Sequence, residues 1–295
     1  MGRKLKKPRK IKGTRRNGKH VDEKPKERIN WEALSMLLVI FIVVEFLGLF
    51  VAYSLATQGT APQVFAGDTD SIWNAAYLFV SIMAMTAIIL LLIRLRKRKQ
   101  TLLIIEALAV FVTSLIVFEV IFGSTIGLFL AICVLLWRLT YRDSIMFRNF
   151  VGIIAVAGAG GLIGISLGLL PIIAFIIVLA IYDMVAVFGT KHMVAIGKEV
   201  TSENYAFTIA LPTKAHKFEL GNGDLVIPLM VASSTLVNGP FVNNFIVAFF
   251  VLVASYIGLA ISIQSVSVLK RPLPALPPQT VLMLAILVIS MMLGI

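Results

Sequence analysis

The sequence has few of the residues from which most metal and covalent catalytic sites are built. It contains one cysteine, Cys133, which excludes a disulfide framework and a cysteine-ligated metal site. Three histidines (His20, His192, His216) and no H-E-x-x-H pattern argue against a histidine-ligated catalytic zinc. Charged residues make up 14% of the 295 residues, against roughly 25% in soluble globular domains. An ordinary soluble domain is therefore excluded, and we expect no metal and no cofactor.

Long apolar segments make up most of the chain, and hydrophobic residues account for 59% of it. A helix that crosses a membrane needs about 20 mostly apolar residues. The segments that meet this need are 33–55, 72–93, two within 101–137 divided near Gly123, two within 150–189 divided near Gly168, 224–237, 241–263 and 275–295. The sequence therefore predicts an all-α polytopic membrane protein with nine transmembrane helices.

The basic residues predict how the chain is oriented. Residues 1–29 hold 13 of the 27 Lys and Arg residues, and all the others fall in the loops after spans 2, 4, 6 and 8. Because Lys and Arg accumulate on the cytoplasmic side, we expect a cytoplasmic N-terminus and an extracytoplasmic C-terminus. The domains are a basic, disordered cytoplasmic tail at 1–30 and a membrane domain at 31–295. Within that domain, spans 1–6 cover about 33–189, a cytoplasmic loop covers 190–223, and spans 7–9 cover about 224–295. The tail lacks interleaved aromatics, so we expect it to contact anionic lipid and not nucleic acid.

Five acidic residues fall inside the predicted spans: Glu45, Glu106, Glu119, Asp183 and Asp224. An ionisable residue at the membrane centre costs roughly 2.5–3.5 kcal/mol, which makes each one a candidate for a functional role. No Lys or Arg lies inside a predicted span to neutralise them. Glu106 and Glu119 lie near span ends and can reach the interface, so we expect a structural or interfacial role for each, and we expect Glu45 to be protonated and hydrogen-bonded to a neighbouring helix.

Asp183 and Asp224 differ from the other three acids because their predicted depths match. Asp183 lies eight residues before Lys191, and Asp224 lies seven residues after Lys217. At about 1.5 Å per helical residue, both carboxylates lie roughly 10–12 Å from the cytoplasmic face. Consecutive helices are usually neighbours, so the two acids are expected to face each other, although two unrelated acids on separate helix faces remain the alternative. Two close carboxylates share a proton, and one can then act as general base on water while the other acts as general acid, as in aspartic proteases.

Three short motifs carry a family resemblance: Ile181-Tyr182-Asp183, Gly221-Asn222-Gly223-Asp224 and Leu273-Pro274-Ala275-Leu276-Pro277. In this order they resemble the YD, GxGD and PAL motifs of the GxGD intramembrane aspartyl proteases, the family of presenilins and signal peptide peptidases. The resemblance implies a catalytic pair of Asp183 and Asp224, and substrate contacts from Tyr182, Gly221, Gly223, Pro274, Ala275 and Leu276. Asn222 stands where the family commonly has Leu, which is expected to change substrate preference.

The PAL segment also has a physical interpretation of its own. Residues 271–278 contain four prolines, which lack a backbone donor and resist helix formation. Irregular backbone at membrane depth is tolerated beside a cavity or inside protein. The segment is therefore expected to hold an unwound substrate as an added strand. The alternative is a proline cluster that starts a helix and makes no substrate contact.

The sequence thus predicts an intramembrane aspartic endopeptidase, an integral multi-pass protein of the cell membrane if the source is prokaryotic. Its partners would be the lipid bilayer and the transmembrane helices of substrate proteins. The resemblance to self-sufficient members implies no obligate accessory subunit and leaves homo-oligomerisation open. Two other functions were considered. A proton- or cation-coupled transporter would use the same acids, although no convincing repeat relates spans 1–4 to spans 5–8. A non-catalytic peptide-binding chaperone would not need the aspartates.

Overall fold

A computed structural model describes residues 31–59, 65, 67–94, 98–190, 206–212, 217–269 and 273–294. The basic tail at 1–30 and the loop charges Lys191, Lys198 and Lys214 lie outside the described residues. Within these ranges the chain forms nine α-helices, one π-helical turn and one β-hairpin. Helix therefore dominates the described part of the chain, as predicted.

The helices follow the apolar segments closely. They are α1 (Trp31–Gln58), α2 (Ile72–Arg94), α3 (Arg98–Phe122), α4 (Ser124–Thr140), α5 (Ile145–Ile165), α6 (Leu169–Val185), α7 (Gly223–Asn238), α8 (Asn244–Leu269) and α9 (Leu276–Leu293). The π-helical turn Ala186–Thr190 extends α6, and strands β1 (Thr208–Pro212) and β2 (Lys217–Gly221) precede α7. Seven helices are long and apolar enough to cross a membrane, while α4 and α7 are shorter apolar helices. The protein is therefore a polytopic membrane protein, and the side on which each terminus lies stays a prediction.

The two breaks predicted inside long apolar segments are confirmed. Gly123 separates α3 from α4 with a φ of 81°, a left-handed conformation that favours glycine. Gly168 separates α5 from α6, and its N–H donates to the Thr69 carbonyl at 2.9 Å. A Cβ at Gly168 would overlap the side chain of Asp70. Both glycines therefore sit where a larger residue would be strained or would clash.

Helix α7 lies at the centre of the bundle, where it packs against α1, α5, α6 and α8. Glycines on α5 allow this close approach. A Cβ on Gly164 would lie 2.7 Å from the Met230 carbonyl of α7, and a Cβ on Gly161 would lie 2.9 Å from the Gly48 carbonyl of α1. The glycine-rich run 158–168 thus serves close helix packing.

Two arginines that the charge count assigns to loops belong to the terminal turns of helices and are buried. Arg138 belongs to α4, is 2% exposed, and places Nη2 2.8 Å from Oε1 of Glu106, which is 3% exposed. Arg148 belongs to α5 and is fully buried, with Nη2 3.2 Å from Oε1 of Glu219. Both arginines lie near helix ends in the sequence. Their long side chains nevertheless turn into the bundle, where each one pairs with a glutamate. Glu106 is therefore a buried residue paired with Arg138, in agreement with the structural role among the two that were expected.

Glu45 and Glu119, the remaining two acids of the predicted spans, lie in different surroundings. Glu45 is 2% exposed, and neither of its carboxyl oxygens has a hydrogen-bond partner among the described residues. The predicted hydrogen bond from Glu45 to a neighbouring helix is therefore absent among the described residues. Glu119 is exposed near the end of α3, in agreement with an interfacial position.

Candidate active site

Asp183 lies near the end of α6, two residues before the helix gives way to the π-helical turn. Its side chain is half-buried. The preceding Tyr182 is also half-buried, and its ring meets that of Phe79 on α2 edge-on, with the centroids 6.1 Å apart. The tyrosine thus packs α6 against α2 on one side, while the aspartate occupies another face of the same turn.

Asp224 lies in the first turn of α7, directly after strand β2 and the turn residue Asn222. Acidic side chains are favoured in the first turn because the N–H groups there have no helical partners. Pro228 follows four residues later and has no N–H with which to close the helical hydrogen bond to the Asp224 carbonyl. The first turn of α7 is therefore bonded less completely than an ordinary helical turn.

The two aspartates lie on neighbouring helices, with their carboxyl groups near enough for the charge of Asp183 to influence Asp224. The helices that carry them pack directly against each other, and α9 packs against α6. The predicted pairing of Asp183 and Asp224 across one helical seam is compatible with this packing and stays a prediction.

The PAL motif contacts the carboxylate of Asp183. The backbone N–H of Leu276 donates to Oδ2 of Asp183 at 3.2 Å, and the backbone of Ala275 also lies within interaction range of that carboxylate. Helix α9 begins at Leu276, with Ala275 as its N-cap and Pro277 in its first turn. The prolines thus start a helix, as the alternative interpretation holds, and the start of that helix also contacts Asp183.

A buried polar network lies behind the PAL motif, and sequence reasoning missed it. The carbonyl of Ala275 accepts from Gln279 Nε2 at 3.3 Å and from Ser262 Oγ at 3.5 Å. Ser255 Oγ donates to Gln279 Oε1 at 2.8 Å. A Cβ on Gly258 would lie only 2.6 Å from the Gln279 Cα, so α8 and α9 touch backbone to backbone there. The start of α9 is therefore held by fixed hydrogen bonds to α8.

The two glycines of the GxGD motif have different surroundings. A Cβ on Gly221 would lie 3.6 Å from Oδ2 of Asp224, an ordinary van der Waals distance. A Cβ on Gly223 would meet nothing within 4 Å. Neither glycine has a positive φ. Gly221 therefore lies directly beside the carboxylate, whereas Gly223 borders open space.

A β-hairpin leads into the site from a region predicted only as a loop at 190–223. Strands β1 and β2 pair antiparallel, from Thr208 opposite Gly221 to Pro212 opposite Lys217. Asn149 on α5 fixes β1, because its Nδ2 donates to the Ala210 carbonyl at 2.8 Å and its Oδ1 accepts from the Ala210 N–H at 2.9 Å. The hairpin therefore docks on the bundle and ends two residues before Gly223.

No three His, Cys, Asp or Glu side chains form a group that could hold a metal ion, within the ranges that the structure describes. The site consists of two carboxyl groups, the backbone amides at the start of α9, and the open space beside Gly223. The two carboxyl groups can exchange protons with a water molecule and a peptide bond.

Comparison with known proteins places this arrangement in context. The sequence model of the family described as signal-peptide peptidase, presenilin aspartyl protease matches residues 38–292. No curated protein gives a match. A solved presenilin family intramembrane aspartate protease, in space group C222, has a TM-score of 0.66 and 21% identity, covering 88% of this chain and 99% of that chain. A presenilin family intramembrane aspartate protease solved in space group P2 gives 0.61 and 20%, covering 86% and 96%. These two likenesses show a shared fold.

Proposed function

Because the chain belongs to the signal-peptide peptidase and presenilin family of aspartyl proteases, we propose that Asp183 and Asp224 are the catalytic pair with which it cuts transmembrane helices. The protein is an integral multi-pass membrane protein and an aspartic-type intramembrane endopeptidase. The observation that supports this assignment of residues is that Asp183 and Asp224 lie on two helices packed against each other, near enough for the charge of one carboxyl group to influence the other.

The chemistry needs only the pair and one water molecule. An ionised carboxylate takes a proton from water while the water oxygen attacks the carbonyl carbon of the scissile bond, and the protonated carboxyl gives its proton to the carbonyl oxygen. The intermediate then returns a hydroxyl proton to the pair, the C–N bond breaks, and the departing nitrogen takes a proton from the pair. One water is consumed, and the pair ends with the single proton it began with. The two protonation states belong to Asp183 and Asp224 jointly.

The substrate must reach this pair in an extended form. The carbonyls of a transmembrane helix are bonded within the helix, so the helix has to unwind near the scissile bond. Strand β2 ends at Gly221, next to Asp224, and its sheet has two strands in the part of the chain described here. An unwound substrate can add to the second edge of β2 and pass the glycines and the start of α9. Substrates with Gly or Pro near the cut are expected to be cleaved best, because those residues weaken a helix.

The proposed contacts differ in what supports them. Gly221 and Leu276 lie beside the carboxylates, and Gly223 borders open space. Pro274 and Ala275 precede the start of α9, where the amide of Leu276 is directed at Asp183. For Tyr182, the contact with Phe79 suggests that it shapes the site from the side of α2.

The test is cleavage of a transmembrane reporter peptide by the purified full-length protein in detergent, with fragments identified by mass spectrometry. Asp183→Asn and Asp224→Asn keep the size of each side chain and are each expected to reduce cleavage to the uncatalysed background. Glu119→Gln is the matched control, because it neutralises an exposed acid elsewhere in the bundle and should leave the rate unchanged. Full turnover by either aspartate variant would reject the pair.

The same assay addresses partners and the transport alternative. Cleavage by the purified chain alone would support the proposal that it needs no accessory subunit. Proton flux into liposomes without any new fragment would instead support a transporter that uses the same acids.

A further inference from the structure

Ala206, at the entry to the hairpin, is held from both sides by side chains that the mechanism does not use. Its N–H donates to Oε1 of Glu106 on α3 at 2.9 Å, in a buried hydrogen bond. Its carbonyl accepts from Nδ2 of Asn222 at 2.9 Å. Ala206 itself is buried. One residue thus connects an acid of α3 with the residue that lies two positions before Asp224.

We propose that Glu106 and Asn222 are positioning residues for Asp224, acting through the two sides of Ala206. The proposal rests on the catalytic role of Asp224 proposed above. It gives Asn222 a specific task in this chain, in addition to the change in substrate preference expected from its place in the motif. It also gives Glu106 a role beyond neutralising Arg138.

Asn222 is bonded to the hairpin rather than to its own helix. An Asn at the N-cap of a helix ordinarily accepts a hydrogen bond from one of the first free N–H groups. Asn222 is the N-cap of α7, yet its side chain makes no capping bond. Instead, its Nδ2 reaches Ala206, and its backbone N–H donates to the Phe207 carbonyl at 3.1 Å. These two bonds extend the pairing of β1 and β2 by one step, up to the start of α7.

Glu106 anchors the Ala206 end of this pairing, because its own carboxylate is held by two arginines. The oxygen that accepts from Ala206 also accepts from Arg138 Nε at 3.0 Å and from Arg138 Nη2 at 2.8 Å. The other oxygen lies 3.5 Å from Nη2 of Arg142. Arg138 in turn donates through Nη1 to the Arg142 carbonyl at 2.9 Å. Charge-assisted bonds of this kind are shorter and stronger than neutral ones, so the acceptor of the Ala206 amide is anchored to both α3 and α4.

The rest of the hairpin is held independently of Glu106. Asn149 bonds both backbone groups of Ala210, and Arg148 pairs with Glu219. The loss of the Glu106 contact is therefore expected to loosen the entry of the hairpin and the Asn222 turn, while the hairpin stays docked on α5. The effect on Asp224 should be local displacement and not unfolding.

The experiment uses the full-length protein, the reporter peptide and the single variants Glu106→Gln and Asn222→Ala. A misplaced carboxylate lowers the chemical rate more than substrate binding, so kcat is expected to fall by about tenfold to a hundredfold while KM stays nearly constant. Hydrogen exchange at the Ala206 amide should be faster in both variants, because Glu106→Gln weakens the charge-assisted anchoring of its acceptor and Asn222→Ala removes the donor to the Ala206 carbonyl. Ser234→Ala is the matched control. It removes a buried hydrogen bond on the same helix, to the Leu167 carbonyl, and should leave kcat unchanged.

A double variant separates positioning from simple destabilisation. If both side chains act through Ala206, Glu106→Gln with Asn222→Ala should lose little more activity than the worse single variant. Losses that multiply, a change confined to KM, or a wild-type kcat in the folded Asn222→Ala protein would overturn the proposal. If Glu106→Gln fails to fold, the kcat of the folded Asn222→Ala variant alone tests the proposal. Retained activity in Asp224→Asn would reject the catalytic role itself, whereas the exchange data test the contacts of Ala206 directly.

Discussion

The backbone N–H of Leu276 donates to the carboxylate of Asp183 at 3.2 Å, although 93 positions separate the two residues in the chain. The bond is available because the first N–H groups of a helix have no helical partner, and α9 begins at Leu276. The PAL motif is therefore part of the environment of an aspartate even without substrate. Any movement of the start of α9 should change the orientation of that carboxylate.

The first prediction concerns Gln279, which lies behind this contact. Gln279→Leu removes the donor to the Ala275 carbonyl and leaves Ser255 Oγ buried without its acceptor. An unsatisfied buried polar group costs about 1–3 kcal/mol, so the free energy of unfolding should fall by that amount. The cleavage rate should fall too, because the start of α9 is held less firmly. Thermal unfolding in detergent and the reporter assay measure the two effects.

The control for Gln279 is the double variant Ser255→Ala with Gln279→Leu. Replacing both partners of a buried hydrogen bond by apolar groups is often nearly neutral, so most of the lost stability should return. The activity should stay low, because the Ala275 carbonyl still lacks its Gln279 donor. Recovery of stability and activity together would contradict a positioning role for Gln279.

The second prediction concerns pH. A pair that works with one shared proton has no base when both carboxyls are protonated and no acid when both are ionised. The value of kcat/KM should therefore fall on both sides of an optimum, and its two apparent pKa values should belong to the pair. Initial rates across about pH 4 to 10 measure the profile, since that range covers the usual limits of perturbed carboxyls. A rate that does not fall at the alkaline end of the range would contradict the need for a protonated carboxyl.

The third prediction concerns the contact between α8 and α9. Gly258→Ala would place a methyl group 2.6 Å from the Gln279 Cα, and backbone cannot give way as a flexible side chain can. The helices must separate, which should lower both the unfolding temperature and the cleavage rate. Ser265→Thr is the control, because it adds one methyl group at a partly exposed position of the same helix. An active, fully stable Gly258→Ala protein would mean that α9 shifts without disturbing Asp183.

The fold could be predicted in outline because the signals that define it are local. Apolar runs marked the nine helices, and the glycines at 123 and 168 marked the breaks between pairs of them. The proposed pairing of Asp183 and Asp224 rests on equal depths on consecutive helices, and the two helices do pack against each other. The prediction needed only helical rise and the usual proximity of neighbouring elements, and it did not depend on the details of side-chain packing.

The contacts around the site could not be predicted, since they join residues far apart in sequence. Arg138 and Glu106 lie 32 positions apart, and Ala206 lies 100 positions from Glu106. The distribution of basic residues along the sequence assigned Arg138 to a loop. A position in the sequence does not show the direction in which the side chain points. The hairpin was missed for a similar reason. Its strands have five residues each, and Asn149 on α5 completes the bonding of β1.

The fourth prediction concerns the glycines of the GxGD motif and separates a conformational role from a role in substrate access. Neither Gly221 nor Gly223 has a positive φ, so alanine imposes no backbone strain at either position. A methyl group at Gly221 would lie at contact distance from Asp224, and one at Gly223 would enter open space. Gly221→Ala and Gly223→Ala should therefore fold with wild-type unfolding temperatures.

If the open space beside Gly223 receives the substrate, Gly223→Ala should raise KM for the reporter peptide with a smaller change in kcat. Gly221→Ala should lower kcat as well, because its methyl group touches the carboxyl group of Asp224 directly. Steady-state kinetics with reporters of different size beside the scissile bond would show the difference, since a smaller residue there should restore KM in Gly223→Ala. An unchanged KM in Gly223→Ala for every reporter would contradict substrate passage at this glycine, and unfolding of either variant would show that the motif serves the fold instead.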